Sequence, residues 1–557
     1  MAGSDAIHCY CPADGRLLGT VNPATVEDID RAITSASTAQ KDWAKTSFAQ
    51  RRRVLKTILR YAGTISSSSY PSDPISIRFV LENQETIATV ACLDSGKTKI
   101  DASFGEILVT AEKLRWTILH GEKALRPEKR PTNFLMMYKM NEVRWEPLGV
   151  VAACVSWNYP FHNLIGPVIS SIFAGNAIVV KSSELTAWSA SYFTSIVTSA
   201  LSACGHSPNL VQSVICWPSV APHLTSHPSI AHLTFIGSRP VAHHVAASAA
   251  ESLIPCCIEL GGKDAAIILD SARPNLKSIA SILMRGVFQS AGQNCIGIER
   301  IIACPAVYDE LVALLEPRVR ALRVGSALAT STSDDSAIDV GAMISAANFP
   351  TLQSHISSAV ASGARLLAGG QAYTHPSQPK GHYFLPTLLV DVPPTCSLAQ
   401  NETFAPIMTI MRARSAAHAL ELANSTSYGL GASVFGAAGS AEVEEVVRGV
   451  KSGMVSVNDF AVYYAVGLPF GGVGGSGYGR FGGTEGLRSV CNTKAVSRDR
   501  FPRLMSTAIP PRLDYPMADS SRAWEFCQGV VGLGYAWWLG SGDAGKGKAI
   551  WRLARNA

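Results

Sequence analysis

One of the thirteen cysteines in this chain follows a turn sequence that could present its thiol. Cys295 ends the stretch Phe288–Cys295, FQSAGQNC, in which Gly292 permits the backbone to bend and to present the thiol together with neighbouring N–H groups. A thiol presented in this way can act as a nucleophile, although many cysteines are inert buried side chains. The pattern therefore makes Cys295 a candidate nucleophile, with a purely structural cysteine as the alternative.

Two further side chains could assist a thiol nucleophile. Glu259 lies 36 residues upstream of Cys295, at the end of an apolar strand and beside two glycines. A carboxylate in that position is either paired with a cation or held as a general base. Asn158 lies in the predicted strand-to-helix turn Val155–Pro160, where its amide could cap the turn or donate a hydrogen bond to an oxyanion. These two residues and Cys295 are the candidate catalytic residues.

Alternating strand and helix patterns supply the elements that must position these residues. The uncharged run between Glu146 and Lys181 divides into a strand at Gly149–Val155, a helix at His162–Ala174 and a strand at Ala177–Val180. Polar residues and a proline interrupt the run, which argues against a membrane span. Three further alternations follow, up to residue 322. This order predicts an α/β fold in which crossover helices connect mostly parallel strands.

Residues 62–79 interrupt a helical pattern near the start of the chain. Thr25–Lys45 and Phe48–Ala62 are predicted helices, whereas residues 62–79 contain a serine run and two prolines. Removal of this segment would join Tyr61 to Val80 in a continuous helical pattern. We therefore expect the segment to be a solvent-exposed insertion.

Three motifs resemble binding sites but lack a required part. Gly472–Gly477 matches GxGxxG without a closely flanking strand and helix, and Asp94–Thr98 ends like a phosphate loop with Ala91 where the first glycine is needed. His223 and His227 stand four residues apart, with no third ligand near them in the sequence. We therefore expect ordinary hydrogen-bonded histidines there, and no metal site is predicted.

Composition limits the class of protein. The chain has 557 residues, of which 47% are hydrophobic and 16% charged, so it is expected to form a globular protein of more than one domain. The net charge of +6 comes from dispersed basic residues, so no nucleic-acid partner is expected. The cysteines have no CxxC spacing, and the first 20 residues have no apolar signal segment. These features favour a cytoplasmic protein with reduced thiols.

Seven motifs occur along the chain in a fixed order. They are VSWNYP at 155–160, KSSE at 181–184, FIGS at 235–238, CIELGGK at 257–263, FQSAGQNC at 288–295, ETFAP at 402–406 and PFGG at 469–472. In these motifs the chain resembles the aldehyde dehydrogenase superfamily, from Asn22 to Arg498 apart from residues 62–79. The resemblance implies an α/β aldehyde dehydrogenase-like fold with a Rossmann-type cofactor domain, an α/β catalytic domain and a β-strand oligomerisation arm.

The same resemblance implies a division of the chain into domains. The expected parts are an NAD-binding domain at 1–131 and 149–261, a catalytic domain at 262–453, oligomerisation strands at 132–148 and 488–498, a glycine-rich return segment at 454–487 and a C-terminal extension at 501–557.

Roles for the candidate residues also follow from the resemblance. Cys295 is expected to be the nucleophile, Glu259 the general base, and Asn158 with the N–H of Cys295 the oxyanion hole. The implied reaction is the NAD-dependent oxidation of an aldehyde to a carboxylic acid through a thiohemiacetal and a thioester on the cysteine. Two alternatives remain: a coenzyme-A-acylating or phosphorylated-aldehyde reductase, which generally lacks the base, and a non-catalytic scaffold protein.

The implied cofactor is NAD, held by residues from several motifs. The residues that the resemblance assigns to cofactor binding are Trp157, Lys181, Glu184, Gly237, Ser238, Gly261, Glu402 and Phe404. Within this set, Lys181 and Glu184 are assigned to the adenosine ribose, Gly237 and Ser238 to the pyrophosphate, and Glu402 and Phe404 to the nicotinamide half. An acidic side chain at the ribose would repel a 2′-phosphate, which favours NAD over NADP.

Three positions depart from the pattern of the family. Ser290 stands where asparagine is usual, Ala405 where glycine is usual, and Ala242 where a glycine often follows the Gly-Ser pair. The first change is expected to loosen a supporting hydrogen bond, and the other two to reduce the space for the cofactor. None of the three removes a catalytic group.

The expected partners are a small aldehyde and further copies of the chain. Thr132–Leu148 and Arg488–Arg498 resemble the strands with which the family forms oligomers, so a homodimer or a homotetramer is expected. In the extension, the uncharged run Phe526–Gly542 contains Trp537 and Trp538 and precedes several basic residues. This tail is expected either to dock on the protein or to associate with an intracellular membrane.

Overall fold

The computed structural model describes residues 6–59, 80–326, 328, 338–460, 464–505, 507–536 and 543–556. It divides into two units, the first made of Met1–Leu125 with Pro147–Cys491 and the second of Arg126–Glu146 with Asn492–Ala557. The predicted insertion at 62–79 and the pair Trp537 and Trp538 lie outside the described residues.

The described part of the chain contains strands throughout its length. In chain order they are β1 (Ile7–Tyr10), β2 (Leu17–Val21), β3 (Glu128–Arg130), β4 (Lys139–Pro147), β5 (Val150–Cys154), β6 (Ala177–Lys181), β7 (Val211–Val214), β8 (Leu233–Gly237), β9 (Cys256–Leu260), β10 (Ala265–Ile268), β11 (Arg300–Ala303), β12 (Arg365–Ala368), β13 (Ala372–His375), β14 (Gln378–Phe384), β15 (Thr387–Val390), β16 (Ile407–Arg412), β17 (Gly431–Phe435), β18 (Met454–Val457), β19 (Gly477–Tyr478) and β20 (Cys491–Asp499).

Helices connect most of these strands. They are α1 (Val26–Trp43), α2 (Phe48–Leu59), α3 (Gln84–Ser95), α4 (Lys99–Ala102), α5 (Val109–Ala124), α6 (Pro160–Ala174), α7 (Ala187–Ala203), α8 (Ala221–Thr225), α9 (Arg239–Glu251), α10 (Leu276–Phe288), α11 (Pro305–Arg320), α12 (Phe349–Ala361), α13 (Ser397–Gln400), α14 (Ala416–Ala423), α15 (Ala441–Gly449), α16 (Gly483–Ser489), α17 (Ser520–Ala536) and α18 (Asp543–Asn556). A π-helix, Ser103–Leu108, joins α4 to α5.

The first unit contains a six-stranded sheet with the order β19-β9-β8-β5-β6-β7. The five strands from β9 to β7 are parallel, and only β19 is antiparallel to its neighbour. Apart from Lys181 at the end of β6, the strands β5 and β6 consist of small and β-branched apolar residues that are almost wholly buried, as expected for a sheet covered by helices on both faces.

The strand order of this sheet reverses between β5 and β8. Chain connections run outward from β5 to β6 and β7 on one side, and then return to β8 and β9 on the other. In open parallel sheets, a ligand binds at such a reversal, outside the carboxyl ends of the strands. The turn that contains Trp157 and Asn158 follows β5, and Ser238 follows β8. The topology thus brings two of the predicted binding motifs to one crevice.

A seven-stranded sheet forms the other half of the first unit, with the order β12-β15-β16-β11-β10-β17-β18. Its strands are parallel except for β12. The loop with Cys295 leads into β11, and the loop with Glu402 leads into the adjacent strand β16. Both loops therefore arrive at the amino-terminal edge of this sheet.

Helix α6 shows how local sequence positions the turn before it. Pro160 occupies the start of the helix, where its missing N–H costs no hydrogen bond, and Gly175 ends the helix with a φ of +97°. The Glu106 carboxylate accepts the exposed N–H groups of Phe161 and His162, each at 2.9 Å. A negative charge at this end of a helix is favourable, so the start of α6 is held in place by a side chain from the π-helix.

In the second unit, β20, β4 and β3 form a three-stranded sheet, and α17 packs against α18. Gly529 permits a close approach of these two helices, because a Cβ there would lie 2.9 Å from the side chain of Leu553. Among the described residues, no helix has both the length and the apolar character that a membrane crossing requires.

The structure corrects several predicted element boundaries. The predicted strand over 132–148 begins only at Lys139, after a short 3-10 turn, and the predicted strand over 488–498 is helical up to Ser489. The segment Cys257–Leu269 contains two strands, β9 and β10, which belong to different sheets. Two glycines at 261 and 262 separate its halves, so apolar character alone could not indicate the division.

Candidate active site

Cys295 lies in a tightly bent loop between α10 and β11. Ser290, Ala291 and Gly292 have φ values of 54°, 56° and 72°, so three successive residues adopt the left-handed conformation. The Ser290 N–H donates to the Asp101 carboxylate at 3.0 Å, which fixes the start of this bend. A side chain at Gly292 would collide with the main chain of Ala405. The surrounding structure therefore holds a backbone that is otherwise unfavourable for non-glycine residues.

Glu259 lies at the end of β9, buried next to the Cys295 thiol. Burial raises the pKa of Glu259 to about 8, and a hydrogen bond with the Cys295 thiol opposes this rise. Burial, followed by the nearby Glu259, raises the pKa of Cys295 well above the ordinary value for a thiol. Glu259 forms no ion pair with the described basic residues, and its Oε1 has no hydrogen-bond partner among them. The described residues therefore give this carboxyl group no ion-pair partner, and its role as a base stays a prediction.

The Asn158 amide is oriented by a small hydrogen-bond network. Its Oδ1 accepts from the Ser156 hydroxyl at 2.7 Å and from Nδ2 of Asn163 at 3.2 Å, which leaves Nδ2 on the opposite side. There, Nδ2 donates to the carbonyl oxygen of Gln293 at 3.2 Å, two residues before Cys295. The N–H of Cys295 has no hydrogen-bond partner in the part of the chain that the structure describes. One proton of the Asn158 amide and this N–H are therefore available to an oxyanion.

A buried ion pair that the sequence did not indicate supports the Asn158 turn. Lys97 is 3% exposed and Glu106 is 0% exposed, and their charged groups lie 2.6 Å apart. Nζ of Lys97 also donates to the carbonyl oxygen of Asn158 at 2.7 Å, and lies 4.2 Å from the centre of the Tyr159 ring. The stretch that ends like a phosphate loop thus contributes its lysine to the support of the turn.

A cleft at the carboxyl edge of the six-stranded sheet contains most of the predicted cofactor residues. It has a volume of about 330 Å³, within the range of sites for organic ligands. The residues that line it include Trp157, Asn158, Gly237, Ser238, Glu259, Gly261, Cys295, Glu402 and Phe404. Lys181 and Glu184 are not among them, and instead form an ion pair with each other at 3.2 Å.

Another buried carboxylate, Glu299, holds the loop that contains Glu402 and Phe404, which are predicted to contact the nicotinamide half. Glu299 accepts the N–H groups of Thr403 and Phe404 and pairs with Lys263 at 2.5 Å. Burial, together with Glu299 and Glu259, raises the pKa of Glu402 to about 8. The Glu402 carboxyl group lies so close to Gly261 that a Cβ at position 261 would overlap it.

Sequence reasoning missed the segment Met343–Asn348, which also lines this cleft. The N–H of Ile344 donates to Oε1 of Gln293 at 2.9 Å, so the segment is tied to the loop of the nucleophile. Its sequence has no motif that could have indicated this position.

A second cavity reaches Cys295 from the side of α5 and α6. Its lining is mostly apolar, with Val109, Tyr159, Ile236, Met454 and Phe470 among the residues. Lys113 and His162 contribute polar groups to it. No sequence motif contained these two residues, because their proximity depends on the packing of α5 against α6.

The three departures from the family pattern are accommodated in different ways. The Ser290 hydroxyl lies 3.4 Å from the Tyr159 hydroxyl, a weak contact in line with the loosened support expected there. Ala405 is buried with its carbonyl next to Gly292, and Ala242 is buried in α9. Neither alanine is among the residues that line the cofactor cleft.

His223 and His227, expected to be ordinary hydrogen-bonded histidines, share a polar partner that is distant in sequence. Asp30, on α1, accepts from Nε2 of His223 at 2.6 Å and lies 3.4 Å from Nε2 of His227. All three side chains are half-buried, and their possible ligand atoms lie within 4.8 Å of one another. Asp30 is 193 residues from His223 in sequence, so only the packing of α1 beside α8 brings them together.

Comparison with known proteins gives a family match along nearly the whole chain. The model of the aldehyde dehydrogenase family matches residues 1–64 and 76–496. The aldehyde dehydrogenase-like proteins C21C3 of Schizosaccharomyces pombe and YHR039C of Saccharomyces cerevisiae are 52% and 49% identical to the chain. These matches cover 96% and 94% of this chain, and 97% and 79% of the two yeast proteins.

More distant matches include proteins with assigned substrates or cofactors. Succinate-semialdehyde dehydrogenase [NADP(+)] of Mycobacterium avium is 29% identical, over 86% of this chain and 96% of its own. The structure of a Mycobacterium tuberculosis aldehyde dehydrogenase complexed with NAD⁺ matches with a TM-score of 0.77 and 28% identity, over 89% of this chain and 95% of that one. The structure of succinate-semialdehyde dehydrogenase from Burkholderia pseudomallei matches with a TM-score of 0.78 and 28% identity, over the same shares of the two chains.

Proposed function

Because the chain belongs to the aldehyde dehydrogenase family, we propose that it oxidises an aldehyde to a carboxylic acid with Cys295 as the nucleophile and NAD as the electron acceptor. The observation that carries this proposal is the contact between the Glu259 carboxyl and the Cys295 thiol, where the cofactor cleft meets the apolar cavity. A nucleophile, a base and two oxyanion donors lie around this point.

The first half of the reaction uses these groups to form a bond to the substrate. The carboxylate form of Glu259 accepts the thiol proton, because a thiol with a raised pKa is a weak nucleophile until it is deprotonated. The sulfur of Cys295 then attacks the aldehyde carbon. The charge that develops on the aldehyde oxygen is stabilised by Nδ2 of Asn158 and by the N–H of Cys295.

The residues around the cleft fit a nicotinamide dinucleotide. The cleft lies at the reversal of the strand order, Gly237 and Ser238 follow β8 there, and Trp157 lies edge-on to Phe404 with ring centres 5.5 Å apart. In this proposal, Glu402 and Phe404 hold the nicotinamide half, and Gly237, Ser238 and Gly261 lie along the rest of the dinucleotide. The bound cofactor would supply the acceptor for the hydride of the aldehyde.

The second half releases the product. A thioester on Cys295 remains after the oxidation. Once Glu259 has released the thiol proton to solvent, its carboxylate removes a proton from the water that attacks the thioester. The bond between carbon and sulfur breaks, the acid leaves, and the thiol is regenerated. Glu259 is suited to this role because it has no competing ion pair among the described residues.

The choice of NAD over NADP rests on Glu184. Its carboxylate lies at the amino-terminal end of a short 3-10 helix next to β6, and the Lys181 ammonium pairs with it. If the adenosine ribose binds there, the carboxylate would accept hydrogen bonds from ribose hydroxyls and repel a 2′-phosphate. The M. avium relative is named for NADP⁺ and the M. tuberculosis structure contains NAD⁺, so a direct comparison of the two cofactors is needed.

The alternative reductase reactions receive less support. A coenzyme-A-acylating or phosphorylated-aldehyde enzyme does not need a base that hydrolyses the thioester, yet Glu259 is present, buried and adjacent to the thiol. A scaffold protein without activity need not retain the nucleophile, the base and the oxyanion donors together. Production of NADH from an aldehyde without coenzyme A or phosphate distinguishes all three.

We also propose that the chain forms a homodimer or a homotetramer through its second unit. Most residues of β20 are exposed, and this strand is at the edge of the three-stranded sheet. Exposed edge strands pair readily with another chain, so a second copy is a suitable partner. Light scattering coupled to size exclusion should give a mass of about two or four chains.

Replacement of the nucleophile tests the proposed function. Cys295→Ala should lower kcat by more than about a hundredfold, because removal of a covalent nucleophile costs at least that much, while NAD still binds with its original affinity. Cys527→Ala, a half-buried cysteine in α17, is the control and should leave kcat unchanged. NADH absorbance and calorimetry measure the two effects. Retained activity in Cys295→Ala would refute the assignment.

A further inference from the structure

The cavity that leads from Cys295 between α5 and α6 contains an ammonium group without a counter-ion. Lys113 is 7% exposed and is the only lysine or arginine among the described residues of the lining. It forms no ion pair and no side-chain hydrogen bond with the described residues. A buried, unpaired cation is costly, and proteins tolerate one where a ligand supplies the opposite charge.

Two titratable groups on neighbouring elements interact with Lys113, the Cys257 thiol and the His162 imidazole, and neither carries a negative charge. Glu259 lines the same cavity but does not affect the pKa of Lys113. Burial raises the pKa of the Cys257 thiol, on β9, to about 12. Burial, with Lys113 and Lys97 close by, lowers the pKa of His162, on α6, to about 3. Both groups are therefore neutral around pH 7. Burial lowers the pKa of Lys113 to about 8, so that its ammonium form still predominates at neutral pH.

His162 provides a second polar atom beside the ammonium. Its Nδ1 contacts the Thr110 hydroxyl at 3.0 Å, which leaves Nε2 as the nitrogen near Gly166. A Cβ on Gly166 would lie 3.9 Å from this Nε2 and 3.9 Å from Nζ of Lys113. Both nitrogens therefore approach the same point on α6. Two nitrogens close to one point suit the two oxygens of a carboxylate.

We propose that Lys113, with His162 beside it, binds the carboxylate of an ω-oxo carboxylic acid whose aldehyde end lies at Cys295, an assignment that rests on the proposed dehydrogenase function. The single cation matches a single negative charge and is insufficient for a dianionic phosphate, which proteins bind with several donors. In the reaction, the aldehyde carbon transfers a hydride to NAD and gains one oxygen from water. The product is a dicarboxylate, and two protons are released.

A pair of substrates that differ only in charge tests the proposal. Succinic semialdehyde and its methyl ester have the same aldehyde and the same spacing. The full chain should oxidise the free acid with a kcat/KM about 10- to 100-fold above that of the ester, mainly through KM, as expected for one charge-assisted hydrogen bond. Adipic semialdehyde with its ester tests a longer spacing, and glyceraldehyde phosphate tests a dianion. A preference for the phosphate, or for both esters over their acids, would overturn the proposal.

Substitution of Lys113 connects this preference to the residue. Lys113→Met, of similar shape, should lower kcat/KM for the preferred acid about 10- to 100-fold more than for its ester, and Lys113→Arg should restore part of the difference. Lys123→Met, at an exposed position on the same helix, is the matched control and should change neither value. An equal loss for acid and ester would indicate a structural role and refute the carboxylate site.

A binding measurement separates failure of this proposal from failure of the proposed function. Calorimetry with succinate and adipate measures the site without turnover, and at least one dicarboxylate should bind the full chain more tightly than Lys113→Met. Binding without NADH production from any aldehyde would reject the dehydrogenase and retain the anion site. Oxidation of neutral aldehydes, with no acid preference and no dicarboxylate binding, would reject the anion site alone.

Discussion

The N–H of Val80 donates a hydrogen bond to the carbonyl oxygen of Ile58 at 3.1 Å, although 21 residues separate the two in the chain. Removal of residues 62–79 would make Val80 the fourth residue after Ile58, which is the spacing of an α-helical hydrogen bond. The two ends of the segment thus already make the contact that a continuous helix would require. The family model also passes over residues 65–75.

Deletion of residues 62–79 should therefore preserve the fold. We expect the melting temperature of the deletion variant to equal or exceed that of the full chain, with kcat unchanged, because an insertion adds a loop-closure cost that its deletion removes. Thermal unfolding and NADH production measure this. A variant with the residues of 62–79 in scrambled order is the control. A lower melting temperature on deletion, but not on scrambling, would show that the segment stabilises the protein by its length.

Replacement of Lys97 should reduce both stability and turnover. Lys97→Met leaves the Glu106 carboxylate buried without its partner, which should cost about 3–5 kcal/mol of unfolding free energy. The carbonyl oxygen of Asn158 also loses its donor, so kcat should fall. Lys99→Met removes an exposed pair with Glu85 and should cost about 1 kcal/mol or less. Denaturant titration and steady-state kinetics measure both variants.

A double variant separates the two effects of Lys97. Lys97→Met with Glu106→Gln removes both charges and should recover part of the lost stability, since no unpaired charge remains. Its kcat should stay low, because the Asn158 carbonyl is still without a donor. Recovery of kcat together with stability would show that Lys97 acts only on folding.

Glu259→Gln should make hydrolysis of the thioester the slowest step of the reaction. The amide cannot accept a proton from water, so hydrolysis of the thioester should slow more than its formation. Rapid mixing with NAD and an aldehyde should then show a burst of NADH equal to the number of active sites, followed by slow turnover. Equal slowing of both steps, without a burst, would instead assign Glu259 mainly to deprotonation of Cys295.

The raised pKa of Glu259 predicts a particular pH profile. A base works only in its deprotonated form, and burial raises the pKa of this carboxyl group to about 8. Activity should therefore rise with pH through about 8, and should fall about tenfold for each unit below it. Measurements of kcat from about pH 6 to about pH 10 test this. An unchanged kcat over that range would contradict the assignment of the base, and Glu259→Gln should lack the rising limb.

The sequence predicts well those features that are local or that recur as motifs. The sequence indicated three of these features: the turn after β5, the apolar strand with Glu259 near its end, and the bend before Cys295. Apolar strands mark the first two, and a necessary glycine marks the third. The alternation of strands and helices predicted parallel sheets, and the structure confirms them.

Features that depend on contacts between residues far apart in the sequence could not be predicted from it. The contact of Asp30 with His223, the support of Asn158 by Lys97 and the position of Lys113 beside His162 each join separate helices or turns. A lone lysine or histidine in a helical pattern has no signature that distinguishes a buried functional group from a solvated one. The sequence indicated strand character at β9 and β10, but it did not indicate that the two strands belong to different sheets.

The proposed base and nucleophile are positioned by different sheets, since Glu259 is the penultimate residue of β9 in the six-stranded sheet and Cys295 lies in the loop before β11 of the seven-stranded one. Any recombination between two related genes with a crossover near Gly261 would therefore join the base of one parent to the nucleophile of the other. Such a chimera could fold from two intact halves and still fail as a catalyst. Its thiol and its carboxyl group would come from parents in which their surroundings had diverged separately. For directed evolution by gene shuffling, these two positions should be inherited as one block.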